Sequence, residues 1–354
     1  MHILILGNGF DLAHGLKTKY SDFLDYCKTK YDSGEAENAD KNNNFLFNNI
    51  WAKHFLDKEI SGDKWIDLEK EIYNVIVKLS NLSYFQNNAA QEKYKNIIFI
   101  IPKYYMAFNF NKINSYFKEL TGVKNQDPHI KIKDFIKFLN NQLRDFVMEF
   151  EKYLTDEVMK TVNINSRYKL RIDDSCISLL NFNYTNTCEK LYKINFNHNN
   201  FGIKTKEIYV HGKINNYDGC NLVLGTHSFN DKEIIADFNV FKKHNQRHRY
   251  GTMENYQELL NELKYPKKIY VPVFHIIGHS LDETDHNILK HILLAREKSI
   301  INIYYHDEES HERLINNITK IIGEEEVMAK VRFIHQHDKK RGILIPIEKP
   351  ALIE

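Results

Sequence analysis

Met1-His-Ile-Leu-Ile-Leu-Gly-Asn-Gly-Phe-Asp-Leu-Ala-His-Gly-Leu-Lys-Thr-Lys-Tyr20 opens the chain, and its order of residue types decides the fold. The run from Ile3 to Leu6 is entirely aliphatic, which is typical of a strand buried on both faces of a parallel sheet. Two glycines end this run. Apolar residues then recur at helical spacing, at Leu12, Leu16, Tyr20, Phe23 and Leu24. The stretch therefore predicts a strand followed by one helix, the opening unit of an α/β fold.

The glycine-rich turn between this strand and helix is a candidate nucleotide site. Glycine lets a phosphate approach without meeting a Cβ, and the following helix offers N–H groups at the positive end of its dipole. The third glycine is Gly15, so the spacing is G-x-G-x5-G. Dehydrogenases that transfer hydride carry G-x-G-x-x-G instead. The spacing argues against hydride transfer, and a turn that binds nothing remains the alternative.

Composition limits the classes of function. A chain of 354 residues is long enough for one large α/β domain with an insertion, or for two domains. Its 49 basic and 47 acidic side chains give a net charge of +2, which does not favour binding to nucleic acid or to a membrane surface. Apolar runs such as residues 97–101 and 271–278 fall well short of the roughly 20 residues of a membrane helix. We therefore expect no membrane insertion and no nucleic-acid partner.

The cysteines indicate a reduced compartment. Cys27, Cys176, Cys188 and Cys220 are far apart and form no C-x-x-C pair, and no secretory signal precedes the first predicted strand. A structural zinc site takes four Cys or His ligands, usually as two close pairs. We therefore predict a cytoplasmic protein without a metal site and without structural zinc.

The middle of the chain predicts helices. Residues 28–50 are polar and predict a surface loop, and residues 104–120 are rich in aromatics and predict a helix. Two apolar stripes at helical spacing predict further helices, the first behind Asp63 as a candidate N-cap. The first stripe is Trp65, Leu68, Ile72, Val75, Ile76 and Leu79, and the second is Phe135, Leu139, Leu143, Phe146, Phe150 and Leu154. We predict a helical insertion over residues 28–169 in an α/β domain of residues 1–27 and 170–354.

Three later segments end a predicted strand in polar side chains. Amides both donate and accept hydrogen bonds, histidine transfers protons near neutral pH, and serine at a helix start can bind phosphate or ribose. Each residue type also has a purely structural role in turns and helix caps. Carboxyl ends of parallel strands share one edge, so we expect these residues to converge. They are Asn183, Tyr184 and Thr185; His211 and Gly212; and Gly278, Ser280 and Asp282 or Asp285 as a helix cap.

Two other segments are weaker signals. Residues 222–225 are apolar and predict a strand with a polar end at Thr226. His244, Arg247, His248 and Arg249 predict a basic surface loop that could meet phosphate.

Several of these motifs resemble known families. Gly7-Asn8-Gly9-Phe10-Asp11 with Tyr20-Ser21-Asp22-Phe23 resembles the opening of the bacterial abortive-infection AbiH family. Trp65-Ile-Asp67-Leu-Glu69 and Gly278-His-Ser-Leu-Asp-x-x-Asp285 resemble two further motifs of that family. The order of the strand-end blocks is also similar to that of sirtuin-type NAD-consuming proteins. These resemblances imply an antiphage protein with a Rossmann-like, mostly parallel sheet of sirtuin-like topology and a large helical insertion.

The sirtuin resemblance also implies a nucleotide ligand and a reaction. It implies NAD as substrate or ligand and favours an NAD glycohydrolase. His211 would be the general base, Asn183 would orient the ribose or water, and Asp11 would steady the cationic ribose or cap its helix. Asp11 replaces a small residue of sirtuins, and no aspartate follows Asn183 at the usual offset, so another nucleotide stays open. The binding residues would be Gly7, Asn8, Gly9, Phe10, Tyr184, Thr185, Gly278, Ser280 and Asp282.

Two other functions remain open. The first is a non-catalytic nucleotide-sensing module that acts through a partner. The second is a nuclease using Trp65, Asp67 and Glu69, which the near-neutral charge disfavours. On one helix Asp67 and Glu69 point about 200° apart, so they cannot both serve one site unless the helix starts after Asp67. Acidic side chains are mostly exposed, so we expect Glu69 to be a solvated helix charge. A phage-derived trigger and a homo-oligomer are further partner hypotheses.

Overall fold

The computed structural model describes nine segments of the chain: residues 1–32, 49–60, 67–84, 132–162, 168–171, 177–192, 207–227, 236–266 and 270–346. The predictions for Asp63, Trp65 and residues 97–101 and 104–120 lie outside them. The chain divides into two compact units. The first is Met1–Lys19, Glu151–Val223 and Arg247–Glu354, and the second is Tyr20–Phe150 and Leu224–Gln246.

The first unit is built on an open sheet of six strands, all parallel to their neighbours. A separate antiparallel pair joins β2 (Tyr168–Leu170) and β8 (Leu344–Pro346). The six strands are β1 (His2–Leu6), β3 (Ile177–Asn181), β4 (Glu207–Tyr209), β5 (Val273–Ile277), β6 (Ile300–Tyr305) and β7 (Val331–His335). Their order across the sheet is β4-β3-β1-β5-β6-β7. The prediction of a mostly parallel sheet is confirmed, and β1 lies inside the sheet between β3 and β5.

At β1 both faces of this sheet are buried. Side chains along a strand point alternately to its two faces. Ile3 and Ile5 pack in one apolar cluster with Leu289, whereas Leu4 and Leu6 pack in another with Phe10. Such burial explains why the first strand is aliphatic at every position from Ile3 to Leu6. The unit is therefore a mixed α/β fold. Its helices are Asn8–Ala13, Thr187–Tyr192, Glu254–Lys264, His286–Leu293, Glu308–Ile322 and Glu324–Lys330.

The described part of the second unit is mainly helical. Its apolar stripes are buried at Leu68, Ile72, Val75 and Ile76 and at Leu139, Leu143, Phe146 and Phe150. Trp51 joins two of its helices, because its indole Nε1 donates a hydrogen bond to the Leu139 carbonyl at 2.9 Å. The helices are Tyr20–Asp32, Ile50–Ile60, Leu68–Tyr84 and the part of Ile132–Tyr153 up to Phe150.

Three further turns complete the secondary structure. Ile132–Tyr153 continues as a π-helical turn at Leu154–Val158. The 3₁₀ turns are Ala236–Phe241 and Glu283–Asp285. Lys243–Arg249 is a helix whose residues up to Gln246 belong to the second unit and whose last three belong to the first.

Two predictions of secondary structure are wrong. The single helix expected after β1 is two helices, Asn8–Ala13 and Tyr20–Asp32, because the chain turns at Gly15, whose φ is 77°. Residues 222–225 form no strand. Their neighbour Thr226 makes an isolated bridge with Lys242 instead of joining a sheet.

Candidate functional site

The loops after β1 and β5 cross at backbone contact, and glycines permit it. The Gly7 amide donates to the Ile277 carbonyl at 3.1 Å, and the Gly9 amide donates to the Gly278 carbonyl at 2.8 Å. A Cβ on Gly7 would lie 2.5 Å from Cα of His279, closer than any real contact. A phosphate bound by these two amides would therefore have to displace both hydrogen bonds.

Asp11 is a buried carboxyl group behind this crossing, with 1% of its surface exposed. Thr185 Oγ1 donates a hydrogen bond to its Oδ2, and Thr187 Oγ1 donates to Thr185 Oγ1 at 3.1 Å. Its Oδ1 has no hydrogen-bond partner among the described residues. Burial raises the pKa of Asp11 from 3.8 to about 7, although the hydrogen bond from Thr185 counteracts part of that shift.

Asp11 does not cap its helix, which was one of its two expected roles. The helix begins at Asn8, its N-cap is Gly7, and no side chain caps it. With a pKa of about 7, the Asp11 carboxyl group can lose or gain a proton near neutral pH. It is therefore suited to donate a proton, to accept one, or to act as a buried negative charge.

The turn after β3 carries Asn183 against the β1 loop. Asn181 holds the turn, because its Oδ1 accepts from the Asn183 amide at 2.9 Å and its Nδ2 donates to the Thr185 carbonyl at 3.1 Å. Asn183 Nδ2 donates to the Gly7 carbonyl at 3.0 Å. Asn183 therefore has a structural contact beside any role toward a ligand. The Tyr184 hydroxyl donates to the Val223 carbonyl at 2.9 Å.

His211 follows β4 and belongs to a buried cluster with Asp285 and Arg247, each at most 7% exposed. His211 Nε2 lies 3.3 Å from Asp285 Oδ2, and Arg247 Nη2 lies 2.7 Å from Asp285 Oδ1. Arg247 Nη2 also lies 3.5 Å from His211 Nδ1. A guanidinium only donates hydrogen bonds, so this contact requires an unprotonated Nδ1 and places the ring proton on Nε2, facing Asp285.

Aromatic contacts connect this cluster to the neighbouring loops. The Phe182 ring lies 4.4 Å from the His279 ring and 5.5 Å from the His211 ring, measured between centroids. His279 Nδ1 accepts from the Leu281 amide at 2.9 Å. The structure thus brings Gly7, Asn183, His211 and His279 together at the carboxyl ends of adjacent strands, the edge where parallel sheets bind ligands.

Other residues expected at the site have different surroundings. Ser280 and Asp282 are exposed, and Asp282 caps the 3₁₀ turn by accepting from the Glu283 amide at 3.2 Å. Asn8 is exposed and accepts a hydrogen bond from Thr18. Phe10 is a core residue, 1% exposed.

Arg247 and Asp285 were missed as site residues. Arg247 was expected on a basic surface loop, which is wrong: it lies on the helix Lys243–Arg249 and is 5% exposed, whereas His248 and Arg249 are exposed. The sequence does contain a signal for the burial of Arg247. Lys243 and Arg247 are one helical turn apart, so they lie on the same face of the helix, and both are buried. Asp285 was considered only as a helix cap, but its side chain makes no capping hydrogen bond.

The expectation of a solvated Glu69 is also wrong. In the second unit, Glu69 Oε1 lies 2.7 Å from Nζ of Lys243, whose side chain is 4% exposed. The helix begins at Leu68, after Asp67, and Asp67 Oδ1 accepts from the Lys70 amide at 3.0 Å. Both acids of the Trp-x-Asp-x-Glu motif therefore have structural partners.

Within the described segments, no group of three or more His, Cys, Asp and Glu side chains is arranged to hold a metal ion. None of the helices in those segments has both the length and the apolar character required to cross a membrane.

The chain was compared with models of known protein families. Residues 3–306 match the model described as bacteriophage abortive infection AbiH. That span covers most of the 354 residues and includes Asp11, Asn183, His211, Arg247 and Asp285. No curated protein matches the chain. The AbiH resemblance is thereby confirmed, whereas the sirtuin resemblance stays a prediction.

Proposed function

The chain belongs to the bacteriophage abortive infection AbiH family, whose role is phage defence, and we propose that it acts by binding and hydrolysing NAD or a related nucleotide. The proposed scaffold is Rossmann-like with sirtuin-like topology. One observation carries the proposal: His211 follows a strand of a parallel sheet, is buried against Asp285, and contacts the rings of Phe182 and Tyr184 on either side of Asn183. A histidine paired with a carboxylate in this position is a suitable general base.

The reaction has simple requirements. The bond between nicotinamide and ribose breaks, nicotinamide leaves with the bonding electron pair, and positive charge develops on the ribose. Water adds to the anomeric carbon and loses a proton, which gives ADP-ribose, nicotinamide and H⁺. His211 would accept that proton at Nδ1, the nitrogen opposite the one that faces Asp285. General base catalysis of this kind typically contributes about 10²- to 10⁴-fold.

Asn183 and Asp11 would assist on the ribose side. Asn183 is 6% exposed, and the Asn181 and Gly7 contacts fix its position. It would orient the ribose or the attacking water. Asp11, when ionised, would stabilise the positive ribose, because opposite charges attract strongly in a buried site.

A non-catalytic nucleotide sensor is the second candidate function, and one observation favours it. Both ring nitrogens of His211 already have partners, Asp285 at 3.3 Å and Arg247 at 3.5 Å. A base must release one of these contacts to accept a proton, whereas a sensor needs no such release. The two functions differ in whether nucleotide is consumed.

Mass spectrometry of nucleotides in phage-challenged cells distinguishes them. Cells with the unaltered protein are expected to lose NAD or a related nucleotide, and His211→Ala and Asn183→Ala are expected to prevent that loss. His291→Ala and Asn287→Ala, at exposed positions of the helix His286–Leu293, are matched controls that should retain it. Thermal unfolding of each purified variant separates a lost function from a lost fold.

Two results would contradict the proposed reaction. If both variants stay folded and protect cells as well as the unaltered protein, the catalytic assignment is wrong. If nucleotide binds but is never consumed, the sensor replaces the enzyme.

We also propose that the protein carries no structural zinc, because its four cysteines form no close pair. Elemental analysis of the purified protein would contradict this with one equivalent of zinc per chain.

A further inference from the structure

Five buried side-chain atoms of the first unit lack a hydrogen-bond partner among the described residues; three are on Ser299, Asn302 and Glu326, and the other two belong to residues of the candidate site. One is Nε of Arg247, a donor, and the other is Oδ1 of Asp11, an acceptor. Arg247 is 5% exposed and Asp11 is 1% exposed. Buried polar groups are almost always satisfied, so an unsatisfied donor and an unsatisfied acceptor point to a ligand that supplies the complementary groups.

The turn after β3 connects these two residues through a short chain of contacts. On one side, Thr185 Oγ1 donates a hydrogen bond to Asp11. On the other side, the ring of Phe182 lies against His211, which in turn contacts Arg247. Both unsatisfied atoms therefore belong to helix residues whose side chains contact the strand-end residues Thr185 and His211 of the proposed active site.

The charges around Arg247 limit what it can bind. Its Nη2 lies 2.7 Å from Asp285 Oδ1, so a carboxylate already opposes its positive charge. Nε therefore offers a hydrogen bond rather than an unopposed charge. A phosphate here would also meet the negative Asp285, and desolvated like charges repel.

The glycine turn gives an independent argument in the same direction. The Gly7 and Gly9 amides, which were expected to bind pyrophosphate, donate to the Ile277 and Gly278 carbonyls. The space where their Cβ atoms would stand is filled by the backbone of Gly278 and His279. Both amides therefore already have hydrogen-bond acceptors in the contact between the two loops and are not available to a pyrophosphate.

We propose that this site recognises the nucleoside part of its ligand rather than the phosphates: Arg247 Nε donates to a neutral nucleoside oxygen, and Asp11 Oδ1 accepts from a hydroxyl. This inference rests on the proposed function for the ligand being a nucleotide. It adds which part of the nucleotide is recognised and by which residues. It holds for an enzyme and for a sensor alike.

Isothermal titration of the purified full chain tests the inference with NAD, nicotinamide riboside, adenosine and inorganic pyrophosphate as probes. At least one of the two nucleosides is expected to bind within about tenfold of NAD, and pyrophosphate is expected neither to bind nor to compete. Arg247→Lys keeps a cation beside Asp285 but removes the Nε donor, and it should weaken nucleoside binding about tenfold or more. Asp11→Asn replaces an acceptor oxygen by a donor and should do the same.

Arg249→Lys is the matched control, because Arg249 is exposed on the same helix, and it should bind as the unaltered protein does. The inference is overturned if pyrophosphate displaces NAD while neither nucleoside binds. It is also overturned if folded Arg247→Lys and Asp11→Asn bind both nucleosides normally, and in that case NAD loss in cells would leave the proposed function standing. If the unaltered protein neither binds any of these nucleotides nor consumes NAD, both the inference and the proposed function are wrong.

Discussion

The His211 imidazole contacts the Asp285 carboxylate at 3.3 Å, although 74 positions separate the two residues in the chain. His211 follows β4, whereas Asp285 ends the 3₁₀ turn Glu283–Asp285 beyond β5. The same carboxylate lies 2.7 Å from Arg247, so Asp285 both orients the imidazole and opposes a buried cation. A substitution there affects the energy of the fold as well as the chemistry of the site.

We predict that Asp285→Ala lowers the free energy of unfolding by about 3 to 5 kcal/mol, because it leaves Arg247 charged and buried without a counter-ion. The double variant Asp285→Leu with Arg247→Met should regain most of that loss, since it removes both charges. Chemical denaturation followed by circular dichroism measures both effects. A single variant within about 0.5 kcal/mol of the unaltered protein would mean that the pair has no structural importance.

The sheet could be predicted from the sequence because its signal is local. An aliphatic run such as Ile3 to Leu6 identifies a strand with two buried faces, and buried strands of this type form parallel sheets. The break at Gly15 was missed because apolar residues keep helical spacing across it, at Leu12, Leu16 and Tyr20. Periodicity reports which side chains are buried, not whether the backbone between them is continuous.

The site was only partly predictable, for a related reason. Residues at strand ends, such as Asn183 and His211, follow from strand prediction and from the rule that parallel strands share a ligand edge. The partners of His211 do not follow, since Arg247 and Asp285 are brought beside it only by tertiary packing. Arginine is usually exposed, so the sequence alone predicts a surface position for Arg247. Only the three-dimensional position of Asp285 explains why Arg247 is buried.

The Glu69 and Lys243 pair yields a second prediction. Glu69→Gln should lower the free energy of unfolding by about 3 kcal/mol, because it removes the carboxylate charge that lies 2.7 Å from the buried Lys243 ammonium. Glu312→Gln is the matched control on the exposed face of the helix Glu308–Ile322 and should change stability by less than about 0.5 kcal/mol. Urea denaturation of both variants decides the question. Equal stability of the two would show that Glu69 behaves as a solvated charge.

A third prediction concerns the crossing of the β1 and β5 loops. Gly278 has a φ of 63°, and a Cβ there would lie 2.1 Å from the Phe10 amide nitrogen. Gly278→Ala should therefore reduce stability by more than about 3 kcal/mol or prevent folding. Gly15→Ala is the control for backbone strain alone, because its φ is 77° but nothing lies within 4 Å of the added Cβ.

Gly15→Ala should cost only about 1 to 2 kcal/mol, which is the strain of the left-handed conformation. Soluble yield and thermal unfolding of the two variants provide the measurement. Comparable losses in both would mean that the two loops separate to accept a side chain at Gly278.

The final prediction is a pH dependence of stability that depends on Asp11. Burial raises the pKa of Asp11 from 3.8 to about 7 in the folded protein. Between these values the folded state holds a proton that the unfolded state releases, so raising the pH through this range destabilises the fold.

Asp11→Asn cannot ionise and escapes this loss of stability. Relative to the unaltered protein, its free energy of unfolding should rise by about 2 kcal/mol between pH 5 and pH 8. Denaturation at both pH values measures that difference, in which other titrating groups cancel. Asp218→Asn, at an exposed position, should show no such change, and a flat difference for Asp11→Asn would mean that Asp11 is already ionised at pH 5.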